Sequence, residues 1–149
     1  MAIARGVGTE IIRSAHFEDV DSSSKILIFG VQHHIYTVLS VVAKCVNLQA
    51  AGNQGFMYLQ GYDSVAGTTA QPLHILEYDL VAGETFVWND KFSFNGHEPT
   101  DFTGPMDSIV KQDAVADQGS SVAQKLYWYT THADDGCDVL VTYIDQNNA

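Results

Sequence analysis

The ten residues TFVWNDKFSF at positions 85–94 give the clearest structural signal in the chain. Alternating side chains along this stretch fall into two sets of different character. One set is aromatic and comprises Phe86, Trp88, Phe92 and Phe94. The other set is mainly polar and comprises Val87, Asn89, Lys91 and Ser93. Because successive side chains of a β-strand point to opposite faces, the stretch predicts a strand with one packed face and one solvated face.

The same kind of signal recurs along the chain, in short runs rich in β-branched and aromatic residues between clusters of Gly, Asn, Asp and Ser. The eight strands that these runs predict are residues 10–17, 25–31, 34–47, 56–62, 74–80, 85–94, 123–132 and 137–145. Predicted strands that follow one another about every ten residues, without a strong amphipathic helix, are typical of an all-β protein. We therefore expect an antiparallel β-sandwich of about eight strands, of the jelly-roll or immunoglobulin-like type.

Two parts of this pattern carry further information about the arrangement of the strands. Residues 35–46 are apolar on both faces, which predicts a central strand covered by a second layer or by a neighbouring subunit. Asp134, Asp135 and Gly136 form a turn signal between the last two predicted strands. We expect these two strands to form a hairpin.

Length and charge limit the domain organisation and the classes of partner. The chain has 149 residues, which predicts a single domain over residues 1–149. Seven basic and eighteen acidic residues give a formal net charge of −11, which repels nucleic acid and anionic lipid, so we expect neither nucleic-acid nor membrane partners. No apolar run reaches the ~18 residues of a membrane helix. Residues 1–6 lack the pattern of a secretory signal, so we expect synthesis in a cytoplasm.

Residues 95–121 do not have a strand pattern. They include two of the three prolines, several glycines and five acidic residues, with at most a short helix at residues 107–116. Long connections of this kind are often functional, so we expect an irregular loop or arm that contacts another chain. Phe102 and Met106 are its candidate contact residues, because apolar side chains in an acidic loop are stabilised by a partner.

Residue patterns that would support catalysis or metal binding are weak. His97, Glu98 and Asp101 could perform acid–base chemistry, but a solvated acidic loop explains them better, and no nucleophile motif or Gly-rich phosphate loop accompanies them. The six histidines lack metal-ligand spacing, and the acidic residues at 134–138 lack the distant glutamate of a calcium loop. We therefore predict no catalytic residues, no cofactor, no metal and no enzyme activity.

The chain contains two cysteines, Cys45 and Cys137. They are far apart in the sequence, and each lies in or at the edge of a predicted strand. This placement favours two buried, reduced thiols over a disulfide.

The aromatic residues could form either a sugar-stacking platform or a packed surface. Trp88 shares its predicted face with three phenylalanines, which favours the core. Within residues 126–130, Trp128 must point away from Tyr127 and Tyr129, so one of the two sets is exposed or is covered by a partner. We favour coverage by a partner. The expected interface residues are Ile3, Phe102, Met106, Tyr127 and Tyr129.

Three stretches resemble parts of small structural proteins of tailed bacteriophages: VAGETFVWNDKF at 81–92, GTEII at 8–12 and HIYTVLS at 34–40. The resemblance is to capsid decoration, cement and tail-associated proteins, in which a Gly-Glu-Thr turn opens a strand that ends in an Asp-Lys pair. It implies a β-sandwich that assembles as a homotrimer on the virion and has no catalytic residues. Residues 95–121 are not part of this resemblance.

The predicted function is therefore that of a capsid decoration or cement protein. Such a protein is made in the host cytoplasm, becomes part of the virion, and binds copies of itself and the major capsid protein or another virion protein. A tail, baseplate or fibre component is the nearest alternative. A carbohydrate- or receptor-binding module and a small hydrolase are the alternatives from other functional classes.

Overall fold

The computed structural model describes residues 6–100 and 103–148, and these residues form eleven β-strands and one short helix. In chain order the strands are β1 (Thr9–Val20), β2 (Lys25–Phe29), β3 (His34–Asn47), β4 (Gln54–Asp63), β5 (Thr68–Asp79), β6 (Thr85–Trp88), β7 (Phe92–Asn95), β8 (His97–Pro99), β9 (Ser121–Ala123), β10 (Lys125–Thr130) and β11 (Gly136–Asn147). The helix, α1, is Ile109–Asp117. The protein is therefore mostly β, as the sequence predicts.

Two larger antiparallel sheets and one small sheet contain these strands. The first sheet has the order β1-β11-β3-β6, and β7 also pairs with β3. The second sheet has the order β2-β10-β4-β5, and β8 and β9 form the small sheet. One cluster of buried side chains draws on both larger sheets, so these sheets pack face to face. The predicted antiparallel β-sandwich is confirmed.

The strand pairs are nested, which decides between the two predicted sandwich types. β4 pairs with β5, β3 with β6 and β7, β2 with β10, and β1 with β11. If β6 and β7 are counted as two parts of one strand, the two larger sheets contain eight strands. The first of these eight strands pairs with the last, the second with the seventh, the third with the sixth, and the fourth with the fifth. An antiparallel ribbon wound up in this way is a jelly roll. An immunoglobulin-like sandwich instead places its first strand beside its second.

Residues 85–94 form two short strands instead of the one that the sequence predicts. Trp88 pairs with Val41, and Phe92 pairs with Val38. Three residues between Trp88 and Phe92 therefore lie opposite two residues of β3. This mismatch interrupts the ladder, so the prediction of one continuous strand is wrong.

The two faces predicted for this stretch are nevertheless correct. Four positions separate Trp88 from Phe92, which preserves the alternation of side chains. Phe94 is buried, and Phe86, Trp88 and Phe92 pack against the core. Val87, on the other face, is exposed.

The core lies between the two larger sheets. Its largest fully buried side chains include Trp128, Ile28, Met57 and Leu126 from the second sheet and Val38, Val41, Val139 and Val141 from the first. Burial of each large apolar side chain contributes roughly 1.5–3 kcal/mol. Trp128 is thus a core residue and is not available as a sugar platform.

β3 is a central strand, as predicted from its two apolar faces. It lies between β11 on one side and β6 and β7 on the other. Its buried residues are Tyr36 and Val38, followed by Val41, Ala43 and Cys45. Every second residue is buried on each side of Leu39, but three positions separate Val38 from Val41. The extra position is a bulge, because Leu39 has no partner in the register with β11. The sequence pattern did not reveal this bulge.

The turn at 134–136 connects the two larger sheets. β10 belongs to the second sheet and β11 to the first, so the predicted hairpin is wrong. The buried Asp135 carboxylate accepts hydrogen bonds from the backbone N–H groups of Gln49 and His132. It also accepts one from the side-chain amide of Asn53. The carboxylate thereby ties this turn to the connection between β3 and β4.

Residues 95–121 contain more regular structure than the predicted loop. β8 and β9 flank α1, which lies where the sequence allows a short helix. Ser108 caps α1, and its hydroxyl accepts a hydrogen bond from the Lys111 N–H. No residue of α1 is buried. Among the residues that the structure describes, no helix is long and apolar enough to cross a membrane.

Two glycines allow three backbone segments to approach closely. The Gly30 N–H donates to the Gln124 carbonyl at 2.8 Å, and the Gln124 N–H donates to the Gly96 carbonyl at 2.8 Å. A Cβ on Gly30 would overlap the carbonyl oxygen of Gly96, and a Cβ on Gly96 would overlap that of Val31. Both positions therefore require glycine.

Replacement of Gly96 by alanine should lower the free energy of unfolding by about 2–3 kcal/mol, because the backbone must shift to admit the methyl group. Gly119→Ala is the control, since a Cβ at Gly119 meets nothing within 4 Å. Urea unfolding followed by tryptophan fluorescence measures both variants. Equal stability of the two would contradict the close approach at Gly96.

Candidate binding face

β10 places its aromatic side chains on two faces. Trp128 is fully buried, together with Leu126 and Thr130. Tyr127 and Tyr129 alternate with these residues and lie half-buried on the outer face of the second sheet. The two tyrosines are thus available for contacts outside the sandwich.

Strand register brings three further rings beside these tyrosines. β10 and β4 pair Tyr127 with Tyr58, and Tyr129 with Phe56. β4 and β5 then pair Tyr58 with His74. We refer to Phe56, Tyr58, His74, Tyr127 and Tyr129 as the aromatic face.

Sequence reasoning missed Phe56, Tyr58 and His74. Their nearness to β10 depends on pairing between strands that are far apart in the chain, which a local pattern does not encode. The available signal was the alternation at 56–60, in which Phe56 and Tyr58 share a face opposite to Met57. Met57 is indeed buried.

The rings stand in two stacked pairs. The ring centroids of Tyr58 and Tyr127 are 4.8 Å apart with an interplanar angle of 6°, and those of Phe56 and Tyr129 are 4.5 Å apart at 14°. The two pairs meet edge-on, at 80° between Tyr58 and Tyr129. His74 lies edge-on to Phe56 at 6.0 Å. Each aromatic pair contributes about 0.5–1.5 kcal/mol beyond its buried area, which holds the rings in place.

Hydrogen bonds fix the polar ends of two of these tyrosines. The Tyr127 hydroxyl donates to Gln60 Oε1 at 3.3 Å. The Tyr129 hydroxyl lies 3.1 Å from His74 Nε2. Burial, together with the nearby Tyr58 hydroxyl, raises the pKa of both Tyr127 and Tyr129. Both phenols therefore remain neutral at physiological pH and add no charge to the face.

Apolar side chains on β2 extend the aromatic face. Ile26 pairs with Tyr127 and is partly exposed. Phe29 is 57% exposed, and Lys125 Nζ lies 5.1 Å from the centroid of its ring. An apolar surface with a polar rim is typical of a protein–protein contact.

The other predicted contact residues do not belong to this face. Met106 lies between β8 and α1 and is 44% exposed. Ile3 and Phe102 lie outside the described residues. Of the five predicted contact residues, the structure brings Tyr127 and Tyr129 together.

Two members of the predicted acid–base group are separated. His97 and Glu98 are consecutive residues of β8, so their side chains point to opposite sides of the strand. His97 Nδ1 lies 3.0 Å from Ser121 Oγ. Burial lowers the pKa of His97, and the nearby His33 lowers it further. Asp101 lies outside the described residues.

Glu98 lines a surface cavity with polar neighbours. The cavity has a volume of about 450 Å³, and Tyr62, Gln71 and Gln124 are among its other lining residues. Burial raises the pKa of Glu98, and a hydrogen bond from the Tyr62 backbone N–H partly offsets this shift. Glu98 is thus a poorly solvated carboxyl group that shares its cavity with Asp63, and His97 does not line this cavity.

Metal-ligand clusters are absent from residues 6–100 and 103–148, which contain no group of three or more His, Cys, Asp or Glu side chains placed to hold an ion. His34, one of the two adjacent histidines, is engaged with a buried carboxylate. Its Nδ1 lies 2.7 Å from Asp145 Oδ1, and Arg13 Nε lies 3.1 Å from Asp145 Oδ2. These contacts join β1, β3 and β11.

Glu98→Gln should raise the thermal stability near neutral pH. The folded-state pKa of Glu98 lies above its unfolded value, so stability falls as pH rises through the interval between them. Glutamine avoids the buried charge and keeps an oxygen that can accept from the Tyr62 N–H. We expect a higher Tm than that of the native chain near neutral pH, with the difference shrinking toward about pH 4.

Thermal unfolding across this pH range measures the effect. Glu10→Gln, at an exposed position on β1, is the control and should change Tm little at any pH. A lower Tm for Glu98→Gln than for the native chain near neutral pH would contradict the expectation.

No protein-family model matches the chain, and no curated protein matches it by sequence. Solved structures do match by shape. A chain from the structure of infectious bursal disease virus, strain Gx, matches with a TM-score of 0.50 and 8% identity, over 99% of this chain and 34% of that chain. The present chain therefore spans about a third of that viral chain.

Two further similar structures have other sources. One is a chain of the disulfide-linked pili that form Bacillus endospore appendages, with a TM-score of 0.43 and 10% identity over 100% of this chain and 97% of that chain. The other is a chain of the cowpea mosaic virus top component, a naturally occurring empty particle. It matches with a TM-score of 0.38 and 13% identity, over 95% of this chain and 87% of that chain. The likeness to the infectious bursal disease virus chain supports the fold, and none of the three assigns a function to this chain.

Proposed function

We propose that this chain is a non-enzymatic structural subunit of a virus particle and is held there by contacts with other protein chains. More narrowly, it is a capsid decoration or cement protein of a tailed bacteriophage. In that role it binds copies of itself as a homotrimer, and it binds the major capsid protein or another virion protein. The observation that carries the proposal is the aromatic face on the outside of the second sheet.

The aromatic face has the composition and rigidity of a contact surface. Tyrosine and phenylalanine are enriched at the centres of protein interfaces. Because the rings of the aromatic face already stack within the subunit, binding would cost little additional side-chain entropy. The formal net charge of −11 favours solubility of unassembled copies. The rings of the aromatic face carry no carboxylate, although Glu77 and Lys125 border them, so association can occur there with less repulsion than at the acidic surface.

The fold and the sequence resemblance support the same proposal at different levels. Jelly rolls occur in viral capsid domains and in lectin domains. The fold likeness to a chain of infectious bursal disease virus agrees with the first of these settings. The resemblance of residues 81–92 to structural proteins of tailed phages supports the narrower assignment to a decoration or cement protein.

A carbohydrate- or receptor-binding module is the second candidate, because jelly rolls also form lectins and aromatic rings bind sugars. Ring orientation reduces the surface that is open to a sugar. A sugar stacks on an open ring face, whereas in each of the two stacked pairs the rings cover one face of each other. A tail, baseplate or fibre component is a further possibility within the virion, and the number of copies in purified particles distinguishes it, since decoration proteins cover the capsid in many copies.

Tyr127→Asp should dissociate the oligomer that the native chain forms. Loss of a central aromatic anchor costs about 2 kcal/mol or more, which weakens association by roughly 30-fold. Val65→Asp is the control, because Val65 is 83% exposed in the turn between β4 and β5. Light scattering at several concentrations measures the mass, and circular dichroism verifies that both variants are folded.

The native chain and Val65→Asp should show the same closed oligomer, and Tyr127→Asp should show a monomer. A native chain that stays monomeric at every concentration and does not bind virus particles would overturn the proposal. Glycan binding that is lost in Tyr127→Ala would instead support the carbohydrate-binding module.

A further inference from the structure

Cys45 and Cys137 lie directly opposite each other on the neighbouring strands β3 and β11. Both side chains are buried, at 1% and 0% exposure, and both are free thiols. The two cysteines are far apart in the sequence, and the register between β11 and β3 brings them together. The two thiols therefore form a pair in the interior of the sandwich.

The pair occupies a non-hydrogen-bonded position of the antiparallel ladder. The Cys45 N–H donates to the Glu84 carbonyl at 3.1 Å, and the Cys45 carbonyl accepts from the Gly83 N–H at 2.8 Å. Both backbone groups of Cys45 thus point away from β11. Opposite residues at such positions have Cα atoms about 4.5 Å apart and side chains at their closest approach. This separation lies within the range of about 4.4–6.8 Å that a disulfide requires.

We propose that Cys45 and Cys137 form an intrachain disulfide across the two strands when the chain meets an oxidising disulfide such as glutathione disulfide. The Cys45 thiolate attacks one sulfur of glutathione disulfide and displaces a glutathione thiolate. The Cys137 thiolate then attacks Cys45 Sγ, which forms the Cys45–Cys137 bond and displaces the second glutathione thiolate. The two cysteine protons go to these thiolates, and two electrons reduce one glutathione disulfide to two molecules of glutathione.

In the folded chain, Cys45 is the thiol of the pair that lines a surface cavity. A cavity of about 120 Å³ is lined by Cys45, Tyr78, Val81 and Phe86 among others, and Cys137 does not line it. This volume is too small for a whole glutathione disulfide, so exchange takes place during folding or when β6 opens. Burial raises the pKa of both thiols, that of Cys137 to about 12, which keeps exchange slow in the closed fold.

The disulfide would join the two central strands of the first sheet. It would close a loop of about 90 residues, and long loops lose the most unfolded-state entropy when they are cross-linked. The aromatic face lies on the other sheet, so this inference does not rest on the proposed function.

The test is refolding of the full chain from denaturant in a glutathione redox buffer, compared with refolding under a reducing agent alone. Refolding gives the oxidant access to both thiols, so burial does not hide the result. In the redox buffer we expect an intact mass lower by two hydrogen atoms and, after proteolysis without reduction, one peptide pair that contains Cys45 and Cys137. The thermal midpoint should be higher by about 5–15 °C than that of the reduced chain.

Cys45→Ala and Cys137→Ala each remove one partner and are the controls. Each variant should have the same thermal midpoint in both buffers. The inference is overturned if the refolded native chain keeps both thiols free, carries glutathione adducts in place of the internal bond, or becomes cross-linked between chains. Because the aromatic face is not involved, either of the two proposals can fail while the other stands.

Discussion

The pairing of β3 with β11 is the interaction on which the rest of the fold depends. Its register joins twelve pairs of residues. β1 adds to the free side of β11, and β6 and β7 add to the free side of β3. The inner face of the same two strands supplies Val38, Val41, Val139 and Val141 to the core opposite the second sheet. Without this ladder the first sheet has no centre, and the second sheet has nothing against which to bury Trp128.

Local properties of the strands could be predicted from the sequence, because they depend on the period of two that any strand imposes. The inward faces of Phe86, Trp88 and Phe94 and the opposite orientations of Trp128 and Tyr127 follow from that period alone. Eight main strands and an antiparallel sandwich follow from the number and spacing of the runs.

Choices between partners could not be predicted in the same way. The turn at 134–136 has residues suited to a hairpin, yet β10 pairs with β2 and β4, and β11 pairs with β1 and β3. The bulges also depend on pairing between strands that are far apart in the chain. Leu39 is unpaired because of the register between β3 and β11, and residues 89–91 interrupt the ladder because of the register with β3. For this reason the sequence indicated Tyr127 and Tyr129 but not the rings of Phe56, Tyr58 and His74 that complete the aromatic face.

The nested pairing also sets the order in which the parts of the aromatic face come together during synthesis. The β4–β5 hairpin at the centre of the ribbon can close early, whereas β10 and β11 leave the ribosome after the other nine strands. Two of the five rings of the aromatic face are therefore missing until residue 129 has been made, and β1 waits for its partner until β11 is complete. The complete aromatic face therefore exists only after β10 has been made, although three of its rings belong to β4 and β5, which are made much earlier.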